Sequence, residues 1–474
     1  MNKREFLKSS GAILTGTMLS RFASAELGSP NPAQQTASGA AVPQSNAHRT
    51  NWAGNLEYHT DHLLLPTNLA EVQQAVKSCT KLKALGARHS FNTIADSNFN
   101  QISLKALDSM SLDAQPADVA PSTVSVGAGV TYGKLAPWLD AQGYAIHNLA
   151  SLPHVSVIGA CATATHGSGS NNGNLSTAVS ELEMVTADGN IVHLSRAKDG
   201  DKFLGAVVAL GGLGVVTKVT LDVQPTFQMS QVVYENLSFD QLEHNLDAIF
   251  LSGYSVSLFT DWQNHRATQV WIKSRIQPST TPSGKAGIPA LFHGATLATQ
   301  KLHPIAGHSA EPCTEQQGIP GPWYERMPHF RMNFTPSSGA ELQSEYFVPR
   351  DRAYQAIRAV EELRDQITPH LFITEFRTIA PDDLWISPCY HRPSMAIHFT
   401  WKPETPEVTK ILPLIEAKLA PFDAKPHWAK VFTMPPQKLQ SRHPRMADYQ
   451  ALVRQYDPTG KFRNNFMDTN IFGA

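Results

Sequence analysis

Surplus charge is what this 474-residue chain has least of. Its 39 Lys and Arg stand against 40 Asp and Glu, a net charge of −1, and charged residues make up only 17% of the chain. That balance offers no electrostatic footprint for nucleic acid or an anionic membrane, so no polyanionic partner is expected. Cysteine is scarce as well. Cys79, Cys161, Cys313 and Cys389 lie far apart without C-x-x-C spacing, which argues against a zinc site or a dense disulfide framework and leaves one disulfide open. None of the 19 histidines stands in H-x-x-x-H spacing, so no metal site is expected. No apolar run reaches ~18 uninterrupted residues, so no membrane span is expected. The chain also has no internal repeat.

What is present is a well-packed globular composition, 42% hydrophobic. At this length it should divide into two or three lobes, because single cores stop growing at about 250–300 residues. The first 25 residues read differently. Lys3-Arg4-Glu5-Phe6-Leu7-Lys8 precedes a mildly apolar run from Gly11 to Leu19, and Ala23-Ser24-Ala25 offers a small-residue cleavage site. This is the layout of an export signal, similar to a twin-arginine signal with its first Arg replaced by Lys. The expected destination is the periplasm or the exterior, with the export machinery as a partner of the precursor. A polar linker over 26–48 follows.

Local patterns place the first elements. Asn68 with Glu71 forms an N-cap pair, and Leu69, Val72, Val76, Cys79 and Leu82 then recur at helical spacing. A strand at Thr123–Val126, a helix from Tyr132 ended by Gly143, and strands 179–188 and 191–195 around Asp188-Gly189-Asn190 follow. Residues 214–224 form a long alternating strand. Beyond Pro225, segments 230–275 and 341–402 hold alternating strands and two helices, 239–250 and 352–368. Between them, 276–340 is rich in Pro, Gly, Ser and His and reads as an irregular excursion.

Two loops carry chemistry. Gly86-Ala87-Arg88-His89-Ser90-Phe91-Asn92 has neither a Walker nor a Rossmann pattern, yet its small residues can form an anion-binding nest, to which Arg88 adds charge and His89 a nucleophilic nitrogen. Ser151-Leu152-Pro153-His154 and Gly159-Ala160-Cys161-Ala162-Thr163-Ala164-Thr165-His166-Gly167-Ser168-Gly169 are small and flexible enough for backbone to approach a flat ligand closely. In the other half, Glu375-Phe376-Arg377 and His398-Phe399-Thr400 each put two polar groups on one strand face. Lys425-Pro426-His427-Trp428-Ala429-Lys430 adds a His and a Lys.

The order of these motifs over about 55–225 resembles the FAD-binding half of the vanillyl-alcohol-oxidase flavoproteins, of p-cresol-methylhydroxylase (PCMH) type. Arg88-His89-Ser90-Phe91-Asn92 and the Lys425–Lys430 run are similar to those of alditol (xylitol) oxidases and related aldonolactone oxidases. The resemblance implies an α+β fold: a two-lobed FAD-binding domain over 49–226, a substrate domain over 227–420 with an antiparallel sheet flanked by helices, and a segment 421–474 returning to the FAD domain. It implies FAD bonded covalently through His89 and lined by Leu85, Gly86, Ala87, Arg88, Ser90, Phe91, Asn92, Ser151, Ser156, Gly159, Thr163, Ala164, Thr165, His166, Val216 and His427. A second tether through Cys occurs in some cousins at the turn reading Ala150-Ser151-Leu152; no Cys stands there, so one tether is expected. Ala429 stands where relatives more often carry Gly, which is compatible only with a negative φ.

The resemblance further implies oxidation of a polyol's terminal hydroxyl to the aldehyde, with O₂ reduced to H₂O₂, by a monomer. His398 would be the base. Arg377 and Lys430 would hold the reacting oxygen, Glu375 would bond the neighbouring hydroxyl and separate the two cations, and Ser151 and Thr400 would orient the rest. Three alternatives stay open: an aldonolactone oxidase, a flavin dehydrogenase passing electrons to another acceptor, and a non-catalytic periplasmic sugar-binding protein.

Overall fold

The alternating segments become strands whose two faces go to different places. On Leu371–Ile379 the Phe376 ring enters an apolar core, whereas Glu375 and Arg377 face a cavity. Ser394–Trp401 sends Ile397, Phe399 and Trp401 to the same core and His398 and Thr400 to the cavity. Leu342–Pro349 does likewise with Leu342, Tyr346 and Val348 against Gln343 and Glu345. The period-2 direction of side chains in a strand produces this division.

The computed structural model describes residues 42–115, 122–276, 287–334 and 340–473. The expected signal at 1–25 and the linker up to 41 lie outside the described residues. Residues 42–48, expected as linker, instead begin the fold: Gln44–Ser45 pairs antiparallel with Leu63–Leu64 at the edge of a small sheet of four strands. Main-chain bonds to a neighbouring strand outweigh their polar composition.

Three further sheets follow. Five antiparallel strands run in the order Met110–Asp113, Thr123–Gly127, Val215–Asp222, Val179–Val185, Ile191–Ser195. A two-stranded pair joins Gln224–Pro225 to Tyr144–Ala145. Among the described residues the largest sheet has 10 strands, with Ser255–Thr260, Leu371–Ile379, Ser394–Trp401 and Leu342–Pro349 adjacent at its centre. Helices Phe239–Phe250, Ala353–Glu361 and Thr405–Leu419 pack their apolar residues on one face of it. The mixed α+β class is as expected. The 42–474 stretch forms one compact unit.

Local chemistry explains most element ends. Asn68 Oδ1 accepts from the Glu71 N–H while Glu71 accepts in return from Asn68 and Thr67, so the cap pair holds. The helix stops at Ser78, short of Leu82: the Cys79 N–H makes the last helical bond and Leu82 is already on the way to the next strand. Gly143 (φ +84°) and Gly189 (φ +81°) supply the left-handed turns expected after the second helix and within the hairpin. The expected helix 352–368 is two pieces, Ala353–Glu361 and Arg364–Ile367. A helix at Arg196–Val207 goes unread in the sequence because Gly200 (φ +50°) interrupts it, although Ser195 caps it by accepting from the Lys198 N–H. The tail closes on the beginning: Leu82 N–H donates to Lys461 O (2.9 Å), and Asn464 Nδ2 lies within bonding distance of Thr93 O, Ile94 O and Asp96 O at 2.8–3.1 Å.

Candidate active site

A cavity of about 570 Å³ runs from the Gly86 loop to the central strands of the large sheet. At one end its wall is loop backbone. An added Cβ on Gly86 or Gly159 would stand 2.9 Å or 2.6 Å from Ser156 Oγ, so both glycines let the backbone lie close to that hydroxyl. None of the backbone N–H groups of Gly86, Ala87, Arg88, His89 and Ser90 bonds another described residue. Five consecutive free donors in a turn where Arg88 takes φ +62° make a nest for an anionic group. Apolar residues, among them Met184, Leu210, Leu213 and Val216, line the neighbouring wall. A long cofactor with a charged centre and flat apolar rings fits this end.

His89 belongs to this loop and lines the cavity. Trp52 packs on it with ring centres 4.5 Å apart, and His154 Nε2 lies 3.2 Å from its Nδ1. Burial, then His154, pushes the His89 pKa down to about 3, so the ring is neutral and nucleophilic. With Nδ1 taken, Nε2 is the nitrogen left for bonding.

A charged cluster on the large sheet and at Lys430 lines the same cavity. Glu375, His398 and Glu345 sit directly opposite one another on three adjacent strands. Glu345 is the hub: its Oε1 is 2.8 Å from Arg377 Nη2 and its Oε2 2.7 Å from Lys430 Nζ. His166 Nε2 (3.3 Å) and His398 Nδ1 (3.6 Å) approach the same carboxylate, too far or off-axis for good hydrogen bonds. Burial alone would raise the Glu345 pKa; Lys430, His166 and Arg377 hold it well below the carboxylate range. Burial likewise opposes ionisation of Glu375, and Arg377 and His329 overcome it. Lys430 Nζ is 2.6 Å from His398 Nδ1, and His398 Nε2 is 3.1 Å from Thr400 Oγ1. Burial, then Lys430, brings the His398 pKa down to about 4, and burial lowers that of Lys430.

The cavity brings together most of the residues expected from sequence. Leu85, Gly86, Ala87, Arg88, His89, Ser90, Phe91, Ser151, Ser156, Gly159, Thr163, Thr165, His166, Val216 and His427 line it, as do Glu375, Arg377, His398, Thr400 and Lys430. Two do not. Asn92 faces away and donates Nδ2 to Trp428 O and Lys430 O (2.8 Å each), fastening the two loops to each other. Ala164 is buried behind the wall at φ +54°. A third expectation changes owner: Glu345, not Glu375, separates Arg377 from Lys430. Ala429 avoids positive φ, as its side chain requires. All four cysteines are free, which closes the question of a disulfide.

Glu345 and His329 went unread in the sequence. Glu345 had a signal, since Gln343 and Glu345 alternate with apolar residues as Glu375 and Arg377 do. His329 had none: it comes from the irregular excursion, which also lends His303, His308 and Phe330 to the cavity wall.

An FAD-binding domain model matches residues 60–195, and a D-arabinono-1,4-lactone oxidase model matches 338–470. An alditol oxidase of Streptomyces sp. (strain IKD472) is 45% identical over 423 residues, covering 88% of this chain and 97% of that protein. This chain belongs to the alditol oxidase family. More distant kin of this flavoprotein include an L-gulono-1,4-lactone dehydrogenase of Mycobacterium tuberculosis, 27% identical over 429 residues (88% of this chain, 97% of that one). In fold, the family member is similar to a solvent-stable cholesterol oxidase, with TM-score 0.73 and 15% identity over 92% of this chain and 100% of that one. A cholesterol oxidase from B. sterolicum superposes at TM-score 0.70, 15% identical over 93% of this chain and 100% of that one.

Proposed function

We propose that this protein oxidises the terminal hydroxyl of an alditol to the aldehyde with FAD and reduces O₂ to H₂O₂. The observation that carries the reading is the buried Glu345–Arg377–Lys430–His398 cluster in the same cavity as the nest. It is built from donors and acceptors that suit a hydroxylated chain, and such a site rejects a deoxy analogue by ~10⁴.

Bound FAD supplies the hydride acceptor, and O₂ takes the electrons on as H₂O₂. The chain's own residues manage the proton and the substrate. Both His398 nitrogens are occupied, so a proton reaches it through Lys430: Nζ takes the hydroxyl proton as it hands one to His398 Nδ1. The imidazolium that results stands beside the Glu345 carboxylate. Arg377 holds the reacting oxygen and offsets its developing charge. Glu375, Ser151 and Thr400 bond the remaining hydroxyls.

His89 carries the flavin through a single covalent bond at Nε2, with His154 fixing the ring. Residues 1–25 export the chain to the periplasm or beyond, where a tethered cofactor is not lost. The test is direct: the purified protein releases peroxide with xylitol or sorbitol, and its colour survives acid precipitation. In His89→Ala the flavin washes out. The lactone-oxidase match over 338–470 supports an aldonolactone as the second reading, and faster peroxide release from a lactone than from any alditol would establish it.

A further inference from the structure

The described part of the excursion that the sequence leaves unexplained, 287–334, is folded onto the large sheet. Thr314 N–H donates to His329 O (2.9 Å), Thr314 Oγ1 to Pro328 O (2.9 Å), and Gly318 N–H to Gln231 O (2.8 Å) on the strand beneath. These bonds deliver His329 into the cavity wall. Its ring stands edge-on to Phe259 and Trp271, both with centres 5.4 Å away. Its Nε2 lies 2.8 Å from Glu375 Oε1, and its Nδ1 lies 3.1 Å from the buried Lys273 Nζ, which also donates to Met327 O at 2.6 Å.

These contacts fix where the protons are. A carboxylate accepts, so His329 Nε2 carries the hydrogen; in the neutral ring Nδ1 is then the acceptor and Lys273 the donor. Lys273 has the two hydrogens this needs whether charged or neutral. Glu375 Oε2, by contrast, has only Arg377 Nε at 3.5 Å, outside hydrogen-bond geometry, and that Nε is itself buried without a partner among the described residues. Glu375 Oε2 is therefore an acceptor at the cavity with no donor among the described residues, ready for one substrate hydroxyl.

We propose that His329 is a positioning residue: locked as its Nε2–H tautomer by Lys273, it pins one oxygen of Glu375 so that the other, beside Arg377 Nε, binds a hydroxyl of the substrate next to the reacting carbon. The 287–334 part of the excursion is thus a wall of the substrate site. The inference rests on the alditol reading for its ligand, a vicinal diol at the end of a polyol.

The experiment compares variants of the whole flavoprotein by steady-state kinetics. His329→Leu should raise KM for the alditol at least tenfold with a smaller change in kcat, and should leave flavin content and reduction by dithionite unchanged. His329→Gln keeps a donor near the Nε2 position and should stay within about threefold of the parent. Lys273→Met should raise KM in the parent but add little in the His329→Gln background, because an amide has no tautomer to choose. Equal losses in the Leu and Gln variants, or an undiminished Lys273→Met effect in the Gln background, would overturn the proposal. If His329→Leu fails to fold, the Gln and Lys273 variants still decide. If the parent turns over a lactone and no alditol, the alditol reading fails, and the same comparison on the lactone judges His329 separately.

Discussion

At the scale of single residues, the site is a balance of charges removed from water. Glu345 faces two cations and is fully enclosed, and losing one partner of such a buried group typically costs about 3–5 kcal/mol. Glu345→Gln should therefore lower unfolding stability by that order, or push Lys430 further toward its neutral form, and thermal denaturation with bound flavin measures it. Lys430→Met removes the group that takes the hydroxyl proton and with it the route to His398. Stopped-flow reduction by substrate should slow by ~10²–10⁴, the range for a proton-transferring side chain, with the flavin still bound. Since burial and Lys430 set His398 at about 4, turnover should persist through mildly acidic solution and fall as pH drops through that value.

At the scale of elements, strand alternation was the most legible signal and the excursion the least. Glu375-Phe376-Arg377 and His398-Phe399-Thr400 could be assigned their faces from sequence because a period of two leaves no choice. That the two strands pair in the register that sets Glu375 opposite His398 required the structure. Glu345 was legible by the same rule but lay in a segment described only as alternating. His329 was illegible, because its position depends on long-range bonds from Thr314 and Lys273 rather than on any local period. Among local signals, the Asn68–Glu71 cap was readable and is testable: Asn68→Ala should cost about 1 kcal/mol in chemical denaturation.

At the scale of the whole molecule, buried histidines tie stability to pH. His89, His166, His329, His398, His427 and His443 all have pKa values lowered by burial, so the folded chain keeps them neutral where the unfolded chain protonates them. The unfolded state binds more protons in that range, and stability is lost as pH falls below about 6.5. Glu345 and Glu375, depressed by their cationic partners, add losses of the same sign below the ordinary carboxylate range. Asp382, raised to about 6 by burial, works the other way but is one group against many. Denaturant midpoints measured from pH 7 to pH 4.5 should decline steadily; a flat profile would mean these rings are protonated in the folded chain.

The cavity wall joins residues near 86 to residues near 430, with Asn92 bonded to the carbonyls of Trp428 and Lys430. During synthesis the earlier wall must wait for more than three hundred further residues before its counterpart leaves the ribosome. A nascent polypeptide halted before His427 should accordingly retain no dinucleotide, and loading of the prosthetic group becomes a step that follows translation.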